Sequence, residues 1–449
     1  MATSKDEIDI KTGRLPAEAY AENFTDMHEP LTRHEALVES DRCYFCYDAP
    51  CVTACPTSID IPLFIRQIST DNPKGSAETI FEQNIMGGMC ARVCPTETLC
   101  EQVCVREMAE GKPVKIGLLQ RYATDHYMEV VGEQPFERAP ETGHKIAIIG
   151  AGPAGLSCAH RLAQHGHDVT IYEAREKPGG LNEFGIAAYK STDDFASREV
   201  DFILGIGGIE IKYGMALGDE LTLESLTHCF SAVFVGAGLS DVNDLGLEGD
   251  DAENCINAVD YIAQLRQSDD LSKLPVGRDV VVIGGGMTAI DVATQVKLLG
   301  AENVTICYRR GADAMSASAY EQEVAQTHGV SIRHWLQPKQ LHMKDGKVAA
   351  IELEYTSGSN GSLEGTGETV ILEADQVFKA IGQTADASPL GGVDLALERG
   401  RIVVNEARKS NHEKIWAGGD CVAGGEDLTV VAVEDGKIAA EDIHRTLMG

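Results

Sequence analysis

The residues best suited to do chemistry are eight cysteines between positions 43 and 104, of the thirteen in this 449-residue chain. They form two tight runs, each with a Cys-Pro pair: Cys43, Cys46, Cys51 and Cys55, then Cys90, Cys94, Cys100 and Cys104. Thiolates at such spacings can bind a compact inorganic centre, and a proline after a cysteine run is typical of iron–sulfur proteins. Eight ligands suffice in number for two [4Fe-4S] clusters. Structural zinc is the alternative, because Cys43 and Cys46 alone fit a zinc knuckle.

A glycine-rich loop at Gly150 follows the two cysteine runs. It has the pattern Gly150-x-Gly152-x-x-Gly155, with Pro153 and Ala154 inside it, and it lies between an apolar stretch and a helical pattern. Such glycines let backbone N–H groups approach a pyrophosphate at the start of a helix. Glu173 lies where the next strand should end, a position suited to binding ribose hydroxyls. The pattern predicts a dinucleotide site.

A second loop of the same kind begins at Gly284, and no other internal repeat is evident. Its expected cofactor contacts are Gly284, Gly286, Met287, Thr288 and Ala289, with alanine as an accepted variant of the third glycine. The strand that follows ends in Arg309 and Arg310 instead of an acid. Guanidinium groups there would suit the 2′-phosphate of NADP, but they could equally be solvated surface charges. The sequence therefore does not decide whether the nucleotide on this loop is NAD or NADP.

A third marker is the Gly418-Gly419-Asp420 turn, followed by a helix that we expect to begin near Thr429. In flavoproteins with two dinucleotide folds, an aspartate in this place contacts the flavin, which predicts FAD on the first loop. The stretch around Gly180 and Leu181 lacks the redox cysteine pair that disulfide reductases carry there. Flavin electrons therefore need another exit, and the cysteine-rich region is the visible one. Gly382 completes the cofactor contacts that we expect.

Composition limits the class of protein and its partners. The chain is 43% hydrophobic and has a formal net charge of −32, which argues against nucleic acid or an anionic membrane as a partner. We expect no signal peptide in residues 1–10 and no membrane span. An odd number of cysteines without an export signal favours thiolate ligands in a reducing compartment, so we expect a cytoplasmic protein. The five remaining cysteines are expected to be small core residues: Cys158, Cys229, Cys255, Cys307 and Cys421.

The sequence patterns predict an α/β fold whose chain divides into four segments. Residues 1–143 form an N-terminal arm, extended over residues 1–30, and an α-helical iron–sulfur domain whose first helix is capped by Thr32. Residues 144–238 and 383–449 form the two parts of an FAD-binding domain, and residues 239–382 an NAD(P)-binding domain. Within the latter, alternating apolar residues and a Gly/Ser turn at 358–361 predict an antiparallel meander. The fold class is two Rossmann-like domains of the two-dinucleotide flavoprotein type, preceded by an α-helical domain that binds two [4Fe-4S] clusters.

The combination of motifs resembles the N-terminal half of dihydropyrimidine dehydrogenase, and most closely the electron-input subunit of the bacterial two-subunit enzyme. The matching stretches are CYFCYDAPCVTACP, CARVCPTETLC, IGLLQRYATD, GAGPAGL, GGGMTAIDVA and WAGGDCVAGG. The resemblance implies one cluster held by Cys43, Cys46, Cys51 and Cys104. The second would be held by Cys55, Cys94, Cys100 and the amide oxygen of Gln120. Whether Cys90 or Gln120 completes the second cluster stays open.

The resemblance also implies a function. NAD(P)H would pass hydride to FAD, and the two clusters would carry single electrons to a partner subunit. That partner would be a (β/α)8 barrel with FMN and iron–sulfur clusters that reduces uracil or thymine to the 5,6-dihydro form. Such a barrel needs about 250 residues beyond those of this chain. We expect a hetero-oligomer such as a heterotetramer, and no acid–base residue of this chain is assigned. The alternatives are the small subunit of glutamate synthase or a related electron-transfer subunit, and, remotely, a zinc-stapled assembly protein.

Overall fold

The computed structural model of the protein describes residues 8–218, 220–358 and 363–449. The chain divides into two compact units. The larger unit comprises residues 28–183, 193–240 and 385–449. The smaller unit comprises the described residues up to 27, together with 184–192 and 241–384.

The helices and strands have the following bounds. The α-helices are α1 Ala17–Asn23, α2 Arg33–Ser40, α3 Pro50–Ala54, α4 Ile61–Ser69, α5 Pro73–Gln83, α6 Gly87–Val93, α7 Val105–Glu110, α8 Ile116–Val130, α9 Pro153–Gln164, α10 Leu181–Phe184, α11 Phe195–Leu204, α12 Leu223–Cys229, α13 Ala258–Arg266, α14 Met287–Leu298, α15 Ala319–Thr327 and α16 Thr429–Met448. The β-strands are β1 Ile10–Lys11, β2 Lys145–Ile149, β3 Asp168–Glu173, β4 Ile209–Tyr213, β5 Ala232–Val235, β6 Asp241–Val242, β7 Cys255–Asn257, β8 Val276–Gly277, β9 Asp279–Gly284, β10 Asn303–Tyr308, β11 Ser331–His334, β12 Leu336–Lys344, β13 Lys347–Ser357, β14 Glu364–Glu373, β15 Gln376–Ala380, β16 Gln383–Thr384, β17 Leu397–Glu398, β18 Arg401–Ile402 and β19 Ile415–Ala417.

The larger unit combines a helical region with a parallel sheet. Helices α2 to α8 surround a core that includes Phe64, Phe81 and Tyr127, all fully buried. The predicted cap of the first of them is confirmed, because the Thr32 side chain accepts from Glu35 N in a capping box. The sheet has the order β19-β5-β2-β3-β4 with every pairing parallel. Strands of parallel sheets are buried on both faces, which explains the continuous apolar run of β2 and β5.

The smaller unit is built on a second parallel sheet, in the order β11-β10-β9-β15-β7. Strands β12, β13 and β14 form the predicted antiparallel meander. Residues 359–361 of the predicted Gly/Ser turn lie outside the described residues. No helix in the described ranges is both long and apolar enough to cross a bilayer.

The prediction that residues 1–30 form an extended arm is wrong for the described part of that segment. Strand β1 pairs with β8, and helix α1 follows it. Tyr20 is buried in the core of the smaller unit, with Leu15 and Phe24 packed against that core. The burial of these three apolar residues offsets the entropy lost on ordering a polar segment.

Candidate functional site

The first glycine loop joins β2 to α9 in the larger unit. A side chain cannot be added at Gly155, because its Cβ would lie 2.0 Å from the carbonyl oxygen of Gly150. Gly152 is the N-cap of α9, and Pro153 and Ala154 form its first turn. The close approach brings the start of α9 against the end of β2, so that the backbone N–H groups of the loop remain available to an anion.

Glu173, at the end of β3, lies beside this loop. Its carboxylate accepts hydrogen bonds from Ala151 N at 2.7 Å and from Arg175 N at 2.9 Å. The side chain is buried, with 7% of its surface exposed. Each carboxylate oxygen retains a second acceptor position. Its binding of ribose hydroxyls stays a prediction.

The segment around Gly180 packs against the same loop. Gly179 N donates to the Ala151 carbonyl at 2.7 Å, and Leu181 begins α10. Asn182 is buried and accepts from the hydroxyl of Thr429, the first residue of α16, at 2.9 Å. Its amide nitrogen has no hydrogen-bond partner among the described residues. A buried donor without a partner is costly, so this nitrogen fits a polar group of a bound dinucleotide.

The Gly418-Gly419-Asp420 turn lies beside α16. Gly419 N donates to the buried carboxylate of Asp435 on that helix at 2.9 Å. Burial and the neighbouring Asp427 raise the pKa of Asp420 to about 6. The residues expected to hold FAD are thereby brought together at one end of the sheet: the Gly150 loop, Glu173, Gly180, Leu181, Gly419, Asp420 and Thr429. A half-buried carboxyl beside a glycine turn fits a hydroxyl-rich cofactor, although the charge of Arg401 partly opposes the rise in its pKa.

The second glycine loop joins β9 to α14 in the smaller unit. A Cβ at Gly284 would lie 2.2 Å from the carbonyl oxygen of Ala380 on β15. Gly286 caps α14, whose first turn is Met287, Thr288 and Ala289. The aromatic ring of Tyr308 covers Gly285, and its hydroxyl donates to the Ala314 carbonyl at 2.6 Å. The loop has the form that a pyrophosphate requires.

Arg309 and Arg310 follow β10 and are both exposed. Their carbonyl oxygens are bound by the Thr356 hydroxyl and by Trp335 N. Within the described ranges, neither guanidinium group has a hydrogen bond or an ion pair to the protein. Gly382 follows the end of β15, and its carbonyl accepts from Asn243 Nδ2 at 3.1 Å.

A buried ion network supports helix α14, and sequence analysis missed it. The Lys190 ammonium lies 2.8 Å from Asp291 on α14 and 2.8 Å from Glu321 on α15. The Tyr189 hydroxyl also donates to Asp291, at 3.3 Å. All four side chains are in the smaller unit and are nearly inaccessible to solvent. The network therefore ties residues 184–192 to the helix that begins at the second glycine loop.

Four of the clustered cysteines line one cavity in the larger unit: Cys43, Cys46, Cys51 and Cys104. Burial, together with the nearby thiols of Cys43 and Cys104, raises the pKa of Cys51 to about 12. Apolar residues complete the wall, among them Ile61, Ile65 and Ile116. Soft sulfur donors around a mainly apolar cavity, which Arg106 also lines, fit an iron–sulfur cluster.

A second group of cysteines surrounds Cys94. A hydrogen bond with Cys90, burial and the neighbouring Cys100 and Cys55 raise the pKa of the Cys94 thiol. Gln120 is buried on α8, and its side-chain nitrogen donates to the Gly87 carbonyl at 2.7 Å. Its amide oxygen is thus left to face another partner. Of the two candidates for the fourth ligand, Cys90 lies on helix α6, and Gln120 donates a hydrogen bond to the first residue of that helix.

The arrangement of these thiols can be compared with that of a single-ion site. Across the part of the chain that the structure describes, no group of three or more His, Cys, Asp or Glu could hold one metal ion. A tetrahedral zinc ion would need its ligands at about 2.3 Å from one point. Thiols spread around a cavity fit a larger inorganic core better.

Two protein families match this chain, and their descriptions bear on the cofactors of both the glycine loops and the cysteines. Residues 144–436 match the pyridine nucleotide-disulphide oxidoreductase family. Residues 20–131 match the family described as dihydropyrimidine dehydrogenase domain II, 4Fe-4S cluster. The chain belongs to the pyridine nucleotide-disulphide oxidoreductase family, in the branch with an N-terminal 4Fe-4S domain.

Relatives within this oxidoreductase family match almost the whole chain. The NAD-dependent dihydropyrimidine dehydrogenase subunit PreT of Escherichia coli K12 is 37% identical over 437 residues, which is 97% of this chain and 99% of that protein. The homologous subunit of Salmonella typhi is 36% identical over 96% of this chain and 98% of that protein. The glutamate synthase [NADPH] small chain of E. coli K12 is 32% identical over 94% of each chain.

Solved structures of oxidoreductases share the fold of the nucleotide-binding part. FprA of Mycobacterium tuberculosis in complex with NADPH has a TM-score of 0.57 at 18% identity, covering 69% of this chain and 85% of that one. Thioredoxin reductase of Lactococcus lactis has a TM-score of 0.54 at 21% identity, covering 68% and 99%. The predicted fold class and the predicted FAD, NAD(P) and 4Fe-4S chemistry are confirmed. The match to a 4Fe-4S family favours iron–sulfur binding over zinc stapling as the role of the cysteine domain.

One minor prediction is wrong. Cys158, Cys255, Cys307 and Cys421 are buried as expected, but Cys229 is exposed at the end of α12. The residues that sequence analysis missed at the sites are Asn182, Asp435, Tyr308 and Lys190. Only Asn182 carried a local signal, since it directly follows the Gly180-Leu181 pair.

Proposed function

We propose that this chain is the electron-input subunit of a two-subunit dihydropyrimidine dehydrogenase. It binds NAD(P)H on the Gly284 loop and FAD on the Gly150 loop. When bound, the flavin and two [4Fe-4S] clusters supply the conversion of one hydride into two single electrons. One observation carries the proposal. The larger unit contains both an FAD-type glycine loop, with no cysteine pair in the adjoining residues 179–183, and eight cysteines grouped around α6 and α3.

The chain's own residues bind and orient these groups. The Gly150 loop and the start of α9 bind the FAD pyrophosphate, Glu173 its ribose, and Asp420 with the start of α16 the flavin end. Cys43, Cys46, Cys51 and Cys104 hold one cluster, and Cys55, Cys94 and Cys100 three corners of the other. Dry apolar walls around these groups limit the access of water and oxygen. The division into an iron–sulfur domain over 1–143, an FAD domain over 144–238 and 383–449 and an NAD(P) domain over 239–382 belongs to the same proposal.

The electrons leave for a partner subunit. Relatives named as dihydropyrimidine dehydrogenase subunits imply such a partner. We propose a (β/α)8 barrel with FMN and further clusters that reduces uracil or thymine, in a cytoplasmic hetero-oligomer such as a heterotetramer. The deciding experiment co-expresses the chain with candidate partners and follows NADH oxidation. Oxidation that requires uracil supports the proposal, whereas oxidation that requires glutamine and 2-oxoglutarate shows a glutamate synthase subunit instead.

The glutamate synthase function is the second candidate because of the 32% identical small chain. Gln120 argues against it, since the resemblance places a glutamate there in glutamate synthase. A neutral oxygen ligand leaves the cluster less negative, which should raise its potential.

The fourth ligand of the second cluster can be identified by comparing Cys90→Ala with Gln120→Ala. The variant that removes the ligand should lose one cluster, so that iron falls from about eight to about four atoms per chain. We expect this loss for Gln120→Ala and full iron content for Cys90→Ala. Iron and sulfide analysis of protein purified without oxygen measures it. The reverse result would assign the position to Cys90, and Cys229→Ala, which changes an exposed cysteine, is the control.

The nucleotide preference can be tested at the exposed arginines. The double variant Arg309→Ala/Arg310→Ala should lower kcat/KM for NADPH by about 10-fold or more, because charge-assisted hydrogen bonds to a phosphate are worth about 1.5–3 kcal/mol. The value for NADH should change little. Ferricyanide reduction by the isolated chain measures both. An equal loss with both nucleotides would show that these arginines do not recognise the 2′-phosphate.

A further inference from the structure

Glu199 is a fully buried carboxyl group that neither the flavin site nor the cluster ligands use. It lies on α11, the helix that follows the FAD-binding βαβ segment, and has no exposed surface. Its Oε1 accepts hydrogen bonds from Gly88 N at 2.8 Å and from Met89 N at 2.9 Å. Its Oε2 has no partner among the described residues. One of the two oxygens of this carboxyl is therefore buried without a hydrogen bond from the described residues.

The contact connects Glu199 to the second cluster through one short helix. Gly88 and Met89 open α6, which carries Cys90 and is followed directly by Cys94. The residue before them, Gly87, accepts the hydrogen bond of Gln120. All of these residues are in the larger unit. The carboxyl thus adjoins the peptide that carries the thiolates, and its two hydrogen bonds are to Gly88 and Met89.

The other charged groups near Glu199 pair mostly with one another, although the Nε of Arg92 has no partner among the described residues. Arg92 on α6 donates to both oxygens of Asp125 at 2.9 Å and to the Gly88 carbonyl, and its guanidinium lies over the Phe195 ring. Arg121 on α8 pairs with the same Asp125 at 3.2 Å. On α9, which also packs against α11, burial lowers the pKa of His160 to about 3, so its ring is neutral. Arg198, next in sequence, lies near the Phe195 ring.

This environment favours the protonated carboxyl. Burial raises the pKa of Glu199 to about 8, against the opposing effect of the two N–H donors and Arg92. The folded protein therefore holds this proton near neutral pH and loses it as the pH rises through about 8. An additional negative charge nearby makes the proton still harder to remove.

We propose that Glu199 is the redox-linked protonation site of the second cluster. The proposal rests on the proposed function, since it requires that the cluster be present and reducible. In alkaline solution, one electron from the reduced flavin enters the cluster and one proton from solvent binds the Glu199 carboxylate. Charge is thereby balanced inside the protein: the cluster is reduced, the flavin is oxidised, and the carboxylate becomes a neutral carboxylic acid.

The test measures the midpoint potential of the second cluster against pH, in the full chain purified without oxygen and titrated by electron paramagnetic resonance. In the unmodified protein, the potential should be constant near neutral pH. Above about pH 8 it should fall by up to about 59 mV per pH unit, the value for a tenfold change in proton activity in a one-electron couple. In Glu199→Gln the potential should not vary with pH. Asp201→Asn, an exposed carboxyl on the same helix, should behave as the unmodified chain.

Two results would overturn the inference: a potential in the unmodified chain that stays constant up to about pH 9.5, or an unchanged slope in Glu199→Gln. If Glu199→Gln fails to assemble, the infrared difference spectrum of the unmodified chain at about pH 9 decides. A protonated-carboxyl band gained on reduction supports the proposal, and its absence refutes it. A chain that binds no iron would instead refute the proposed function, and iron analysis of the same sample separates the two failures.

Discussion

Replacing Gly155 by alanine should abolish stable flavin binding. The new Cβ would lie 2.0 Å from the Gly150 carbonyl oxygen, so that the strand and the helix cannot keep their approach. Both elements are covered by other packing, which makes the loop the part that must move. We expect flavin affinity to fall by about 100-fold or more, since a misplaced loop loses several charge-assisted hydrogen bonds worth about 1.5–3 kcal/mol each.

The measurement is the flavin content after gel filtration, with the far-ultraviolet spectrum as a check of folding. Gly391→Ala is the matched control, because this glycine lies in the same unit with a φ of −60° and its nearest neighbour would be 3.4 Å from the new Cβ. Normal flavin content in Gly155→Ala would show that the cofactor does not lie on this loop.

The second large effect is expected at Lys190. Lys190→Met would leave Asp291 and Glu321 with no cation between them, in a place where Lys190 is buried along with both acids. Removing one partner of a buried ion pair costs about 3–5 kcal/mol, because the remaining charge is uncompensated. We expect the unfolding transition of the smaller unit to move to clearly lower denaturant concentration.

Urea unfolding followed by tryptophan fluorescence measures this change, with Trp335 in the smaller unit as the reporter. Lys273→Met removes an exposed ion pair to Asp270 and should change stability by less than about 1 kcal/mol. The triple variant Lys190→Met/Asp291→Asn/Glu321→Gln should recover part of the loss. An unchanged transition in Lys190→Met would mean that the acids take up protons at no cost.

Much of the fold could be predicted because its signals are local. The two glycine loops stand between continuous apolar runs and helical patterns, so that β2, α9, β9 and α14 could be placed from spacing alone. The parallel order of the sheets follows from repeated βαβ units. The meander over β12 to β14 was predictable from alternation of apolar and polar residues, which survives wherever one face of a sheet is solvated.

What escaped prediction depends on distant partners. Strand β1 has two residues, and it exists because β8, far along the chain, offers an antiparallel edge. Lys190 and Glu199 look like ordinary surface charges in sequence, since composition does not show which charges are enclosed. Gln120 is similar: only the resemblance to a family distinguished it from a helix-surface residue. Long-range burial and pairing are what a linear pattern leaves out.

The path of the chain between its two units bears on whether a segment of the smaller unit could be exchanged. Residues 241–384 leave and re-enter the larger unit at Ser240 and Ala385. The next residue, Asp386, donates its backbone N–H to the Ser240 hydroxyl at 3.1 Å, so the two cut ends already adjoin. A tight turn would join these ends if residues 241–384 were removed, but the smaller unit also contains the described residues up to 27 and residues 184–192. Exchange of residues 241–384 would therefore have to preserve their contacts with those two segments, among them the pairing of β1 with β8 and the ion pairs of Lys190 with Asp291 and Glu321.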